Sequence, residues 1–424
     1  MRFTVRRIVP LAALLALTAS SLLPGSSDAQ QPRLGITISA WFIPAANDLF
    51  KQIVAEWAKQ KNVTVDVELV SEGDLTPKFT TAAETGAGPD IMQVASLGTH
   101  LFPDKLVDVT DVVTPLESQY GPIGQIAKDA AVVRGRWRAV PFYATPQVLT
   151  YREDVLKEIG ETVPDTWEDA LRVGQKLKAK GAPAWGEALG HCPVDCVTTV
   201  YSILWAYGAK EVEKDGRTIA LNSPETVKAL EFIKRAYTEA WPAGVVGWDN
   251  SSNNRAFLGG QLGMTVNAGT IWYASKKQAP AIAPYVNHAL IPKGPSARAI
   301  PFWPTSLVVF GHSKNTALAK DLVKYITDAP QMARWLDATE GAGASPLPGL
   351  TKLEKARDPK LRVVTQAIES GRLPGWPGPP TRESAEVHAK YVLVDMAQNV
   401  VKGTAIPQAI EQAVAEMKRI YGQR

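Results

Sequence analysis

Five histidines and two cysteines in 424 residues leave little material for metal or nucleophile chemistry. The sequence holds no His-Glu-x-x-His pair, Gly-x-Ser-x-Gly elbow, P-loop or dinucleotide fingerprint, so the patterns of zinc peptidases, serine hydrolases, nucleotide hydrolases and dehydrogenases are missing. No uninterrupted apolar run approaches the roughly 20 residues that span a bilayer. Charge of either sign is in no great excess. The net charge is +4, and the first 29 residues carry three arginines and one aspartate, so the remainder carries +2. Such a balance makes no case for nucleic acid or a membrane face as partner. Neither a cofactor nor a metal ion is expected.

What is present begins with a leader. Arg2, Arg6 and Arg7 form a basic segment, Ile8 to Leu17 a short apolar core, and Ser27-Asp28-Ala29 a small-x-small cleavage pattern. Cleavage near Ala29 and release into the periplasm are expected. No cysteine follows that point, so no lipid-anchor signal is seen. The Arg6-Arg7 pair alone does not separate general from twin-arginine export. After removal of 29 residues, 395 remain, enough for two domains with substantial cores. Cys192 and Cys196 stand close together in His191-Cys-Pro-Val-Asp-Cys196. In an exported chain a local, structural disulfide is the first reading. Zinc would want four ligands and only His191 is nearby, while redox pairs use Cys-x-x-Cys.

Strand-like and helix-like patterns alternate from Leu34 onward, which predicts an α/β architecture. Leu34 to Trp41 reads as a buried strand, and Leu49, Phe50, Ile53, Val54 and Trp57 then recur on one helical face. Val63, Val65, Val67 and Leu69 alternate with polar residues, a strand with one buried face. A turn over 86–90 leads into strand Ile91 to Val94 and a loop, Ala95 to His100. Trp137 to Val140 predicts a strand that Pro141 to Pro146 interrupts before Val148 to Tyr151, and a hinge is expected at that crossing. Thr166 with Asp169 reads as a capping box, and Ser223-Pro224 starts a helix with Val227, Leu230, Ile233 and Tyr237 as its buried stripe. Trp185 to Leu189 is strand-like, and Leu262, Met264 and Val266 alternate as a strand. Pro301 to Thr305 marks a second crossing before strand Ser306 to Phe310. Ile410, Val414, Met417 and Tyr421 share a face of a closing helix.

Three landmarks fall in a telling order: Trp41-Phe42 after the first strand, Gly86-Ala-Gly-Pro-Asp90, and Val140-Pro141 leading to Tyr151-Arg-Glu-Asp154. Together they resemble the bacterial extracellular solute-binding proteins of family 1, the group that includes maltodextrin-binding proteins and supplies ligand to ABC importers. Pro164-Asp-Thr-Trp-Glu168, Leu204-Trp-Ala-Tyr-Gly208, Phe257-Leu-Gly-Gly-Gln261 with Gly263-Met264, and Asp358-Pro359 resemble further pieces of the family, with Gln261 in place of its usual lysine. The resemblance implies a two-lobed type II periplasmic binding protein fold with hinge crossings near Thr145 and Pro301 and a ligand cleft between the lobes. Residues 30–144 and 305–345 would form the N-terminal lobe, and 145–304 and 346–424 the C-terminal lobe with the terminal helices. It also implies ABC permease subunits of the inner membrane as partners, a monomer, and no catalysis. Maltodextrin-specifying positions do not carry over: Leu97-Gly98 stands where those proteins place charged, sugar-binding side chains, and Thr145 replaces their crossing glutamate.

Ligands of open α/β sheets meet the loops beyond the carboxyl ends of strands. Trp41 and Phe42 occupy such a position, as do Ser96 and Thr99, and then Asn267, Thr270 and Trp272. Thr145 and Trp303 belong to the crossings. The polar run 248–255 adds Trp248, Asp249 and Asn253, and the cysteine loop adds His191 and Asp195. Trp376, in a rigid Pro-Gly loop, and Arg382 complete the expected ligand set. Flat aromatic faces suit C–H-rich sugar rings, and planar amides and carboxylates exchange hydrogen bonds with hydroxyls. A neutral mono- or disaccharide or a polyol is therefore expected. Arg255 and Arg382 keep a sugar acid or phosphorylated polyol as the alternative, and carboxylates such as Asp249 and Glu383 keep a secreted glycosidase as the reading from another class. Each residue also has a plainer account, because tryptophans pack cores and Asn/Ser runs cap helices.

Overall fold

The computed structural model describes residues 31–339, 343–347, 359–369 and 371–423. The leader expected over Met1 to Ala29 lies outside the described residues, and so does Asp358. In chain order the strands are β1 Arg33–Ser39, β2 Thr64–Val70, β3 Ile91–Ala95, β4 Val132–Val133, β5 Arg136–Trp137, β6 Val140–Ala144, β7 Val148–Arg152, β8 Ala184–Trp185, β9 Leu262–Asn267, β10 Val286–Ala289, β11 Ile300–Pro301, β12 Pro304–Val309 and β13 Gly371–Arg372. One sheet runs β2-β1-β3-β12-β6, with β1 parallel to β2 and β3, and β12 antiparallel to β3 and β6. A second runs β10-β7-β9-β8, with β7 antiparallel to both neighbours and β8 parallel to β9.

The chain leaves the first sheet after β6, enters the second at β7, and returns to the first at β12. On that return β11 pairs in parallel with β13. Ala344 and Ala144 exchange backbone bonds of 2.9 and 2.8 Å, so a later segment passes the same crossing.

Each sheet owns a core. Leu34, Ile36 and Ile38 of β1 are buried, and the helix Pro44–Lys61 sets Phe50, Ile53, Val54 and Trp57 against them. Strand β2 lies at the sheet edge, and the expected alternation persists, with Val65, Val67 and Leu69 half-buried and Thr64, Asp66 and Glu68 exposed. The other core gathers Trp167, Trp185, Trp205 and Trp241 around the helix Asp195–Tyr207, of which every residue is buried. Thr166 and Ser223 cap their helices as expected, accepting from the amides of Asp169 at 3.0 Å and Thr226 at 3.2 Å.

Three expectations need correction. Pro141 does not interrupt a strand; it lies inside β6. Strand β6 is an edge strand, and its register with β12 shifts beside the Ser306–Pro141 pair, so the missing N–H costs no ladder bond. The segment Ala95 to His100 is not all loop, since Gly98–Leu101 forms a helical turn. Trp185 to Leu189 is not a strand throughout, because β8 stops at Trp185. Beyond it the Glu187 carboxylate, rather than a backbone carbonyl, takes the Val266 amide at 3.0 and 2.9 Å and the Trp185 indole N–H at 2.7 Å.

Glu187 is fully buried, and burial outweighs these donors to push its carboxyl up to about 7. A carboxyl raised in the folded state adds stability below its unfolded value, near 4.5, and loses it as pH climbs through 7. Glu187→Gln keeps the shape but not the titration. The stability advantage of the natural protein over this variant should shrink by roughly 3 kcal/mol between pH 4.5 and 7.5. Urea unfolding at both pH values measures this, and a constant difference would contradict it.

Candidate functional site

The carboxyl ends of β1, β2 and β6 on one side and of β9 on the other enclose a cavity of about 100 Å³. On the first-sheet side its wall is partly aromatic. Trp41 is held by its backbone, whose N–H donates to Asn47 Oδ1 at 2.8 Å and whose carbonyl accepts from Asn47 Nδ2 at 3.0 Å. Its ring meets Tyr143 edge-on at 5.0 Å and Trp335 at 4.8 Å. Tyr143 accepts from Gln93 Nε2 at 3.1 Å, and burial, together with the Glu72 charge, pushes its phenol up to about 12. Glu72 opens the helix Glu72–Thr85, which Ser71 caps by accepting from the Asp74 amide. Burial raises the Glu72 carboxyl above the usual range.

The second-sheet side supplies amides and a second acid. Asn267 donates to Asp195 Oδ2 at 3.1 Å and to Asn254 Oδ1 at 2.6 Å, while Thr270 donates to Asn267 Oδ1 at 3.0 Å. Burial raises Asp195 well above its ordinary value, and the charges acting on it, Glu72, Glu187 and Asp249, are all of its own sign. Asn250 works in two directions. Its Oδ1 accepts from the Val194 and Asp195 amides at 3.2 and 3.0 Å, capping the buried helix from another loop, and its Nδ2 donates to Glu72 Oε2 at 2.7 Å. That last bond joins the two sheet assemblies.

Cys192 and Cys196 are disulfide-bonded with Cα atoms 5.2 Å apart, and Asp195 lies within the five-residue ring. On a chain-entropy model so short a ring contributes at most ~2 kcal/mol, so its main effect is to fix the shape of the loop that carries Asp195. The loop also presses on its neighbour: a Cβ at Gly190 would lie 2.2 Å from the Trp248 carbonyl oxygen. Only glycine permits that approach.

Of the residues expected at the ligand, the structure brings Trp41, Phe42, Thr145, Asp195, Asn267 and Thr270 to this cavity. The others do not line it, and each has another place. Ser96 and Thr99 are buried, the Ser96 amide donating to the Pro304 carbonyl. His191 bonds Asp395 at 2.5 Å and stacks on Tyr391 at the surface. Trp248 packs beside the disulfide. Asp249 turns to Ser251, Ser252 and Arg255; although burial opposes it, these donors hold its carboxyl at about 2. Asn253 points into the sheet, donating to the Val266 carbonyl at 3.3 Å. Trp272 lies beneath the Lys276 and Lys360 ammonium groups, at 4.9 and 4.4 Å. Trp303 is core, its indole N–H satisfied by Thr198 at 2.7 Å. Trp376 stacks under Arg372 at 3.9 Å, and Arg382 begins the helix Arg382–Ala389. Glu383, on that helix, does not line the cavity either.

Sequence reasoning missed Glu72, Tyr143, Gln147, Asn250 and Asn254. Two signals were at hand. Tyr143 and Gln147 flank Thr145 in the crossing, and Asn250 and Asn254 belong to the polar run 248–255, Asn250 in the turn before the helix Ser252–Leu258 and Asn254 in its first turn. A larger groove, of about 780 Å³, is lined by the second-sheet assembly alone, where Glu168 is already bonded to Tyr207 and Arg235. Its size does not outweigh the smaller cavity, which both assemblies build.

Two α/β sheets that exchange strands at adjacent crossings, with an aromatic and amide-rich cavity between their carboxyl edges, define a two-lobed solute-binding fold. The sequence model of the bacterial extracellular solute-binding proteins matches residues 44–333, and the chain belongs to that family. A maltodextrin-binding protein of Bacillus subtilis is 24% identical, covering 88% of this chain and 86% of its own length. The crystal structure of an ABC transporter solute-binding protein of Thermotoga lettingae, bound to α-D-tagatose, superposes with a TM-score of 0.81 at 19% identity, over 92% of this chain and 100% of that one. An Agrobacterium radiobacter counterpart in complex with ribitol gives 0.78 at 21% identity, over 92% and 98%.

Asn250→Ala should lower the unfolding free energy by about 1–3 kcal/mol, since it strips two buried helix amides of their acceptor and Glu72 of its donor. Asn250→Asp should not restore it, because a carboxylate would then face Glu72. Denaturant titration tests both, and a loss of under about 0.5 kcal/mol for Asn250→Ala would contradict the bridging role.

Proposed function

We propose that this protein is the periplasmic receptor of an ABC importer, binding a sugar or polyol about the size of one monosaccharide and delivering it to permease subunits of the inner membrane. The observation that carries the reading is the cavity shared by the two sheet assemblies. It is lined by aromatic rings, amides, hydroxyls and two carboxyl groups, and among the described residues no lysine, arginine or histidine lines it. Hydroxyl-rich ligands suit such a wall, because planar amides and acids exchange paired hydrogen bonds with sugar hydroxyls while a ring face rests on indole.

The absence of a base from the lining turns the choice away from sugar acids and phosphorylated polyols, which want an arginine or lysine aimed at them. Arg255, one of the two candidates, is committed to Asp249, Ser251 and Ser252. Size narrows the class further: a cavity of about 100 Å³ suits one sugar unit better than a chain of several.

The lobes comprise residues 30–144 with 305–345 and 145–304 with 346–424, and they close on the ligand about the crossings near Thr145 and Pro301. The ligand contacts are Trp41, Glu72, Tyr143, Asp195, Asn254 and Asn267. The receptor acts as a monomer without turnover and reaches the periplasm after cleavage near Ala29.

Calorimetry with a panel of neutral monosaccharides, polyols, sugar acids and sugar phosphates tests this. Saturable binding of neutral members is expected, and Trp41→Ala and Asp195→Ala should each weaken it by about 1–3 kcal/mol. Binding confined to acids or phosphates would refute the ligand class, and turnover of any member would refute the receptor role.

A further inference from the structure

The hydrogen-bonding capacity left open in the cavity is unbalanced. Asn267 spends both of its amide N–H donors within the protein, on Asp195 and Asn254, and Asn250, Asn254 and Gln147 spend one of their two each, on Glu72, Thr270 and the Thr145 carbonyl respectively. The acceptors are less fully used. Gln147 is 1% exposed, lines the cavity, and has no partner for its Oε1. Glu72 gives one oxygen to Asn250, and Asp195 one to Asn267; no lysine, arginine or histidine forms an ion pair with either among the described residues. Among the described residues, two carboxyl groups from opposite sheet assemblies thus face one small cavity without a counter-ion, beside a buried carbonyl with no donor.

Buried acceptors and buried acids are stabilised by donors and by positive charge. A hydroxyl supplies one donor and no charge, whereas a protonated amine supplies three donors, no acceptor and the missing charge. We propose that the cleft prefers a sugar or polyol that carries a protonated amine, with its ammonium group lodged between the Glu72 and Asp195 carboxylates and within reach of Gln147 Oε1. Resting on the receptor reading above, this names the chemical class within it. The remaining hydroxyls of the ligand meet the Asn267–Asn254–Thr270 chain, and its apolar face meets Trp41.

Matched ligand sets test the preference by calorimetry at pH 7: glucose, glucosamine and N-acetylglucosamine; the corresponding galactose and mannose series; and sorbitol against 1-amino-1-deoxysorbitol. In at least one set the amine should bind about tenfold or more tighter than its hydroxyl parent, and the N-acetyl form, which has lost the charge, should lose that gain. Glu72→Gln and Asp195→Asn should each reduce the amine-to-hydroxyl ratio toward one, with a smaller effect on the parent sugar. Parents that bind as well as their amines would overturn the preference and leave the receptor reading intact. A ratio unchanged in both variants would also overturn it, because the amine would then be recognised elsewhere. Failure of every member of every set to bind would overturn both readings together.

Discussion

One side-chain amide joins the two sheet assemblies at the cavity they share. Asn250 accepts from two amides at the start of the buried helix Asp195–Tyr207 and donates to Glu72 on the other assembly. The first pair of bonds fixes where Asp195 stands, and the third fixes how close Glu72 comes to it. The disulfide and the close packing of Gly190 on Trp248 hold the same loop pair from behind. In the proposed receptor, lobe separation would break the Asn250–Glu72 bond and expose a carboxyl and an amide to water, which solvates both well. The bond is therefore a weak net contributor to closure, and a ligand that meets both walls can decide the equilibrium.

Electrostatics in the second assembly are unusual for so balanced a surface. Glu187, Glu211 and Asp195 are buried and raised, Glu211 to about 8. Glu187 and Glu211 do structural work: Glu187 replaces a strand, and Glu211 anchors the Pro-Gly loop by accepting from the Gly375 amide at 2.7 Å. Asp195 alone of the three lines the cavity. Glu187 and Glu211 thus have their partners within the fold, while Asp195 also borders open space. That distinction separates the three more clearly than burial, which they share.

The architecture was legible because the strands repeat every two residues and the helices announce their caps. Leu34, Ile36 and Ile38, the Thr166 and Ser223 caps, and the prolines around 141–146 place both sheets and the first crossing. The site was about half legible. Positions beyond strand ends were readable, yet a strand end borders both core and cleft, and sequence alone does not say which way a side chain turns. Trp303 went inward because Thr198 offers its indole a partner within the core. Asn253 and Asn254 differ by one residue, about 100° of helical rotation, and that decides sheet or cavity. Glu72 was hidden for a different reason: an acid in the first turn of a helix already has an ordinary explanation in the helix dipole. Only the tertiary arrangement brings it opposite Asp195.

In the proposed receptor, ligand lies between two lobes that close on it about the crossings at 145–147 and 302–303. Small-angle X-ray scattering of the protein without ligand and with a saturating sugar or polyol, chosen by calorimetry, tests that claim most directly. A smaller radius of gyration is expected in the saturated sample. An identical scattering profile, with binding confirmed in the same sample, would contradict it.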